Sequence, residues 1–107
     1  MALKHKREGV PEPLAAHANR FRGIVVEVES LPVDPDRFDV RMQMSLEEWA
    51  RSDYRVVWLE VPIERSALIP KAAALGFAFH HSDPDRVVMT RRLQPGAPIP
   101  PYTTHYI

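Results

Sequence analysis

Eleven prolines against four glycines constrain this 107-residue chain more than any other feature. Proline removes a backbone donor and fixes φ, so each one marks a place where a ladder or a helix interior cannot run on. Pro11 and Pro13 lie in a polar N-terminal arm, residues 1–21, and Pro95, Pro98, Pro100 and Pro101 crowd a C-terminal stretch, residues 94–107. Both ends read as flexible or linking segments, which leaves residues 22–93 as one folded unit.

Within that unit the hydrophobic pattern changes period in step with the prolines. Ile24, Val26 and Val28 alternate along Arg22–Glu29 and share one face of a strand. Pro32 breaks it; Asp34 then stands as an N-cap with Pro35 at the first helical position, where a missing N–H costs nothing. Phe38, Met42, Leu46 and Trp49 recur at helical spacing and predict an amphipathic helix ending near Ser52 and Asp53. Tyr54–Val61 is apolar on both faces, as a covered central strand should be, and Pro62 closes it. Glu64–Leu75 reads as a second helix, with a kink or a fresh start at Pro70 and Gly76 as its left-handed cap. Phe77–His81 and Val87–Leu93 form two strands, and Pro84 in the intervening turn predicts an antiparallel hairpin. The expected fold is a small mixed α/β (α+β) domain in the order strand, helix, strand, helix, strand, strand.

Charge and composition exclude several classes of function. Fourteen basic residues balance fourteen acidic ones, which argues against a general nucleic-acid binder or an electrostatic membrane binder. The lack of cysteine removes disulfides, thiolate metal sites and thiol nucleophiles, and fits a reducing compartment; the cytoplasm is the expected location. No apolar run approaches the roughly 20 residues that span a bilayer. The basic start, Lys4-His5-Lys6-Arg7, lacks a following apolar segment, and Glu8 and Glu12 are out of place in a mitochondrial presequence.

Few residues offer chemistry. Gly9, Gly23, Gly76 and Gly96 are too scattered to build an anion-cradling loop. His80 and His81 are adjacent, and on a regular strand they would face opposite sides, so they could meet at one metal only across a bulge. Ser82 and Asp83 beside them supply triad residue types without triad geometry. Glu47 and Glu48 fall on the polar side of the first helix, and Arg91-Arg92 reads as charge protecting an edge strand. Trp49, Trp58, Phe77 and Phe79 are expected in the core where the first helix meets the sheet. No residue is assigned a catalytic or metal-binding role, and no cofactor-binding residue is identified.

The string Arg55-Val56-Val57-Trp58-Leu59-Glu60-Val61-Pro62-Ile63, then Leu68-Ile69-Pro70, then Ala73-Ala74-Leu75-Gly76-Phe77-Ala78-Phe79-His80-His81 resembles a known pattern. It is similar to the N-terminal pre-Nudix domain of the fibroblast-growth-factor-antisense type of Nudix hydrolases and their plant ADP-ribose and NADH pyrophosphatase relatives. The resemblance runs over residues 21–107, and Pro101–Ile107 resembles the stretch that leads into a Nudix module in that family. Nudix catalysis uses Gly-x5-Glu-x7-Arg-Glu-x-x-Glu-Glu, whose glutamates hold divalent cations against a pyrophosphate. Gly23, Glu29 and Arg37 match its first fixed positions, but Phe38, Arg41 and Met42 stand where the remaining glutamates belong.

The resemblance therefore implies an accessory domain that is not catalytic alone, supporting a Nudix hydrolase by dimerisation or by framing substrate. Its parent would cleave nucleoside diphosphate compounds such as ADP-ribose or NADH. Mg or Mn would be the cofactor of the Nudix module, not of this chain, and the expected partner is a second copy or that module. The family also implies a fold similar to the C-terminal half of the Gcn5-related N-acetyltransferases. Leu75-Gly76-Phe77 fits the end of their last helix, while Ala72 replaces the general-acid tyrosine. A residual acyl-CoA or nucleotide-binding domain is thus the alternative.

Overall fold

The computed structural model describes residues 12–99. The expectations for residues 1–11 and for Pro100–Ile107 lie outside the described residues. One mixed sheet organises everything else. Its strands are β1 (Ala16–Ala18), β2 (Gly23–Val26), β3 (Val56–Pro62), β4 (Ala78–Asp83) and β5 (Arg86–Arg92), and they lie side by side in the order β1-β2-β3-β5-β4. Helix α1 (Pro35–Arg51) connects β2 to β3, which are parallel, and the remaining pairs are antiparallel. A 3-10 segment (Ile63–Leu68) leads into the short helix α2 (Ile69–Ala74) before β4. The architecture is mixed α+β, and a strand stands ahead of the one expected to come first.

Helix α1 forms for the reasons its sequence gives. The Asp34 carboxylate accepts the Asp36 N–H at 3.2 Å, Pro35 opens the helix, and Phe38, Met42, Ser45, Leu46 and Trp49 form its buried stripe. That stripe packs on the face of β3 bearing Val57, Leu59 and Val61, joined by Ile24, Val26, Leu68, Phe77 and Met89, to make the main core. Pro70 interrupts the second helical stretch as anticipated: 3-10 geometry precedes it and a new α-helix starts at Ile69. Gly76, with φ of +99°, ends α2, and Arg91 Nε donates to the Leu75 carbonyl at 2.6 Å to satisfy a helix-terminal acceptor.

Four expectations are corrected by the register. Trp58 alternates with Val57 and Leu59, so it faces away from α1 and belongs to a second, smaller core with Val56, Val88 and Ala97. Phe79 pairs with Met89 and shares its face, but β4 is the sheet edge and lies beyond the helices, which leaves Phe79 67% exposed. Arg91 and Arg92 do not protect an edge, because β5 is interior; they bind the Leu75 and Ala97 carbonyls. Strand β2 stops at Val26, and Val28–Ser30 form a 3-10 turn.

Both supposed linking segments contribute to the packed unit. Leu14 is buried in the main core, its N–H donates to Ser45 Oγ at 2.7 Å, and Arg41 binds the Glu12 and Pro13 carbonyls. At the other end, Arg92 Nε holds the Ala97 carbonyl at 2.6 Å and so folds residues 94–99 over the second face of the sheet. No helix among the described residues is long and apolar enough to cross a membrane.

Candidate functional site

Two features occupy the face of the sheet opposite the helices, and Trp58 belongs to both. The first is the histidine pair. Pairing of β4 with β5 shifts between Phe79 and His81, so His80 is an extra residue in a β-bulge. The bulge brings the two rings together instead of separating them: Nδ1 of His80 lies 2.8 Å from Nδ1 of His81, with one ring donating to the other. The His80 ring also meets Trp58 in an edge-to-face arrangement, with centroids 5.0 Å apart. The opposite-face placement expected of a regular strand is therefore corrected.

Around His81, burial and the neighbouring His80 and Arg86 charges favour the neutral ring, while Asp83 and Glu60 oppose them. The outcome is a pKa lowered from 6.5, with burial the largest cause. Arg86 binds Glu60 at 3.3 Å and Asp83 at 3.1 Å, and these carboxylates hold its own pKa up. Among the described residues no three His, Asp or Glu side chains are grouped to hold a metal ion. Ser82 sits one residue past the bulge and pairs with Val87, on the opposite face from His81 by strand alternation.

The second feature is a cavity of about 690 Å³ where the β1–β2 turn, the start of β3 and the folded-back C-terminal residues meet. Asn19 builds the turn: its Oδ1 accepts the N–H groups of Phe21 and Gly23 at 2.8 and 2.9 Å, and its own N–H donates to the Gly23 carbonyl. A Cβ at residue 23 would lie 2.8 Å from Asn19 Nδ2, so the tight fit of this side chain over the strand requires glycine. Arg22 then takes φ of +63° and donates to the Asp53 carboxylate at 2.6 Å. Asp53, itself at φ of +72°, also accepts from Gln94, which ties the start of the C-terminal segment to the same corner. Arg20, Phe21, Arg22, Arg55, Val56, Trp58, Pro98 and Ile99 line the space.

None of Arg20, Phe21, Arg22 and Arg55 is singled out by the sequence reading. Their signal was the run Arg20-Phe21-Arg22 ahead of a glycine, which lies across the assumed boundary between arm and domain. The residues that match the Nudix pattern, by contrast, do not converge with the acids of α1 among the described residues. Gly23 is on β2, Glu29 is in the 3-10 turn and Arg37 is on α1, while Glu47 and Glu48 point from α1 into solvent. These residues do not fit the divalent cations that a pyrophosphatase site would hold.

Comparison with known proteins gives this fold a family. The Nudix hydrolase domain family matches residues 14–93, which is the packed unit from buried Leu14 to the end of the last strand. Nudix hydrolase 8 of Arabidopsis thaliana is 35% identical over 77 residues, covering 72% of this chain and 21% of that protein. Nucleoside diphosphate-linked moiety X motif 6 of Homo sapiens is 33% identical over 99 residues, 88% of this chain and 31% of that protein. The Mus musculus protein of the same name is 35% identical over 100 residues, 88% of this chain and 32% of its own length. The chain thus spans between a fifth and a third of the length of these relatives. With the match running through the whole sheet and both helices, the chain belongs to the Nudix hydrolase family.

Proposed function

We propose that this chain is an accessory, non-catalytic Nudix domain that supports a catalytic Nudix module by dimerisation or by framing its substrate. The observation that carries this reading is the family match over 14–93 on a stretch whose acids are dispersed over the 3-10 turn, α1 and β3. Hydrolysis of a pyrophosphate on a metal needs several carboxylates within one coordination sphere. Substrates such as ADP-ribose or NADH, and the Mg or Mn that would act on them, belong on this reading to the catalytic module.

The edge of the sheet supports the dimer form of the proposal. Among the described residues β4 is the edge strand, and its Phe79 is exposed, a combination that suits contact with a second copy. Light scattering on the purified chain, alone and mixed with a Nudix catalytic module, tests it. A mass of twice one chain, or a monomer that lowers the module's KM for ADP-ribose or NADH, supports the proposal. A monomer that leaves the module's kinetics unchanged contradicts it.

A further inference from the structure

The balanced charge of the whole chain hides a separation of charge along the strands. Strands β2 and β3 run parallel and β5 runs against them, so the starts of β2 and β3 and the end of β5 meet at one end of the sheet. Arg20 and Arg22, just ahead of β2, Arg55, just ahead of β3, and Arg92, the last residue of β5, are gathered there, and all four are exposed. The backbone fixes that grouping: the Arg55 N–H donates to the Arg22 carbonyl at 2.8 Å, and Arg92 pairs with Val56. Among the described residues Asp53 is the one carboxylate that bonds any of the four, through Arg22. The opposite end is acidic, with Glu60 and Asp83 bonded to Arg86 and Asp85 in the adjoining turn.

Phe21 stands within the basic group and adds a second observation. Its side chain is 62% exposed, and the Arg20 guanidinium lies 5.8 Å from the ring centroid. That exposure is built into the turn. Asn19 Oδ1 holds the Phe21 and Gly23 N–H groups, Gly23 leaves room for the Asn19 amide, and Arg22 takes φ of +63°. A turn locked in this way presents an aromatic ring between two cations in a fixed position.

We propose that this end of the sheet docks on the surface of an anionic lipid bilayer, with Phe21 entering the interface and Arg20, Arg22, Arg55 and Arg92 meeting the lipid phosphates. Charge complementarity selects that occupant. Each basic side chain held near an anionic leaflet strengthens attachment several-fold, and a chain basic at one end and acidic at the other approaches such a surface basic end first. A bound peptide would need a row of apolar pockets, whereas a bilayer accepts a single ring flanked by cations. This inference goes beyond the accessory role and does not depend on it.

Co-sedimentation of the full 107-residue chain with vesicles of phosphatidylcholine alone, and with about 30% phosphatidylserine, tests the proposal. Binding to the anionic vesicles at least about tenfold tighter than to the neutral ones, and weakened between about 0.1 and 1 M salt, supports it. F21S should weaken that binding about fivefold or more and R20A/R55A about tenfold or more. Both should keep the parent circular dichroism spectrum, because only exposed side chains change. Emission from F21W should shift to the blue on anionic vesicles, against a constant background from Trp49 and Trp58, which are already buried. No binding at about 1 mM anionic lipid, or equal binding to both kinds of vesicle, overturns the proposal. So does binding that F21S and R20A/R55A leave intact, binding lost only in K4A/K6A/R7A, or an F21W spectrum that vesicles do not move.

Discussion

Arg22 and Asp53 are each held in the left-handed backbone region, with φ of +63° and +72°, and are joined to one another by an ion pair of 2.6 Å. Both side chains are largely in solvent, so the pair itself is worth under about 1 kcal/mol. The backbone at residue 53 sets the greater energy, since a non-glycine residue there costs about 1–2 kcal/mol. D53G should therefore be as stable as the parent or more so in urea unfolding. D53V, β-branched at the same φ, should lose more than about 1 kcal/mol. A loss in D53G as large as that in D53V would show that the ion pair, not the backbone, governs this corner.

Ser45 is fully buried on α1, and its hydroxyl accepts the Leu14 N–H at 2.7 Å while donating to the Arg41 carbonyl at the same distance. Removing it strands a buried donor, which costs about 1–3 kcal/mol. S45A should lower the urea midpoint accordingly and raise amide exchange at Leu14 through Ala18 first. Unchanged exchange in that segment would mean that residues 12–18 are fixed by strand pairing alone.

Gly76 combines a φ of +99° with a position at which an added Cβ would stand 2.9 Å from Arg91 Nε. G76A should destabilise by about 1–3 kcal/mol, because it strains the backbone and displaces the donor from the Leu75 carbonyl. Arg91→Lys should recover little, since an ammonium on a longer reach does not reproduce the Nε geometry. A neutral G76A would contradict the role given to this cap.

His81 sets a pH dependence with a definite sign. Its pKa is lower in the folded chain than the ordinary 6.5, so the unfolded chain binds more protons between those values. The stability it contributes is complete above about pH 6.5 and is lost as pH falls through the folded-state pKa. Among the described residues the charged and titratable groups facing it are His80, Asp83, Arg86 and Glu60. Urea midpoints measured from pH 8 to pH 5 should fall less steeply for H81N than for the parent; equal slopes would assign the effect elsewhere.

The elements legible in the sequence are those whose pattern is local. Asp34, Pro35 and the Phe38-Met42-Leu46-Trp49 stripe define α1 without reference to the rest of the chain, and Gly76 marks the end of α2. Strand β1 was not legible, because Ala16-His17-Ala18 has neither alternation nor β-branched residues; it is a strand because β2 pairs with it and Leu14 anchors its approach. The His80–His81 contact depends on the register between β4 and β5, which no local pattern encodes. The same is true of Phe79, whose exposure follows from the edge position of β4, and of Arg91 and Arg92, whose partners are Leu75 and Ala97. The cavity was hidden for a further reason: its walls come from both segments set aside as arm and linker.

The most direct test of the account is a hydrolysis assay on the purified chain with ADP-ribose and NADH, in the presence of Mg and then of Mn. Acids dispersed over separate elements predict AMP release no faster than in buffer with metal alone. Sustained, metal-dependent turnover that scales with the concentration of this chain would contradict the claim that it is a scaffold without catalytic machinery.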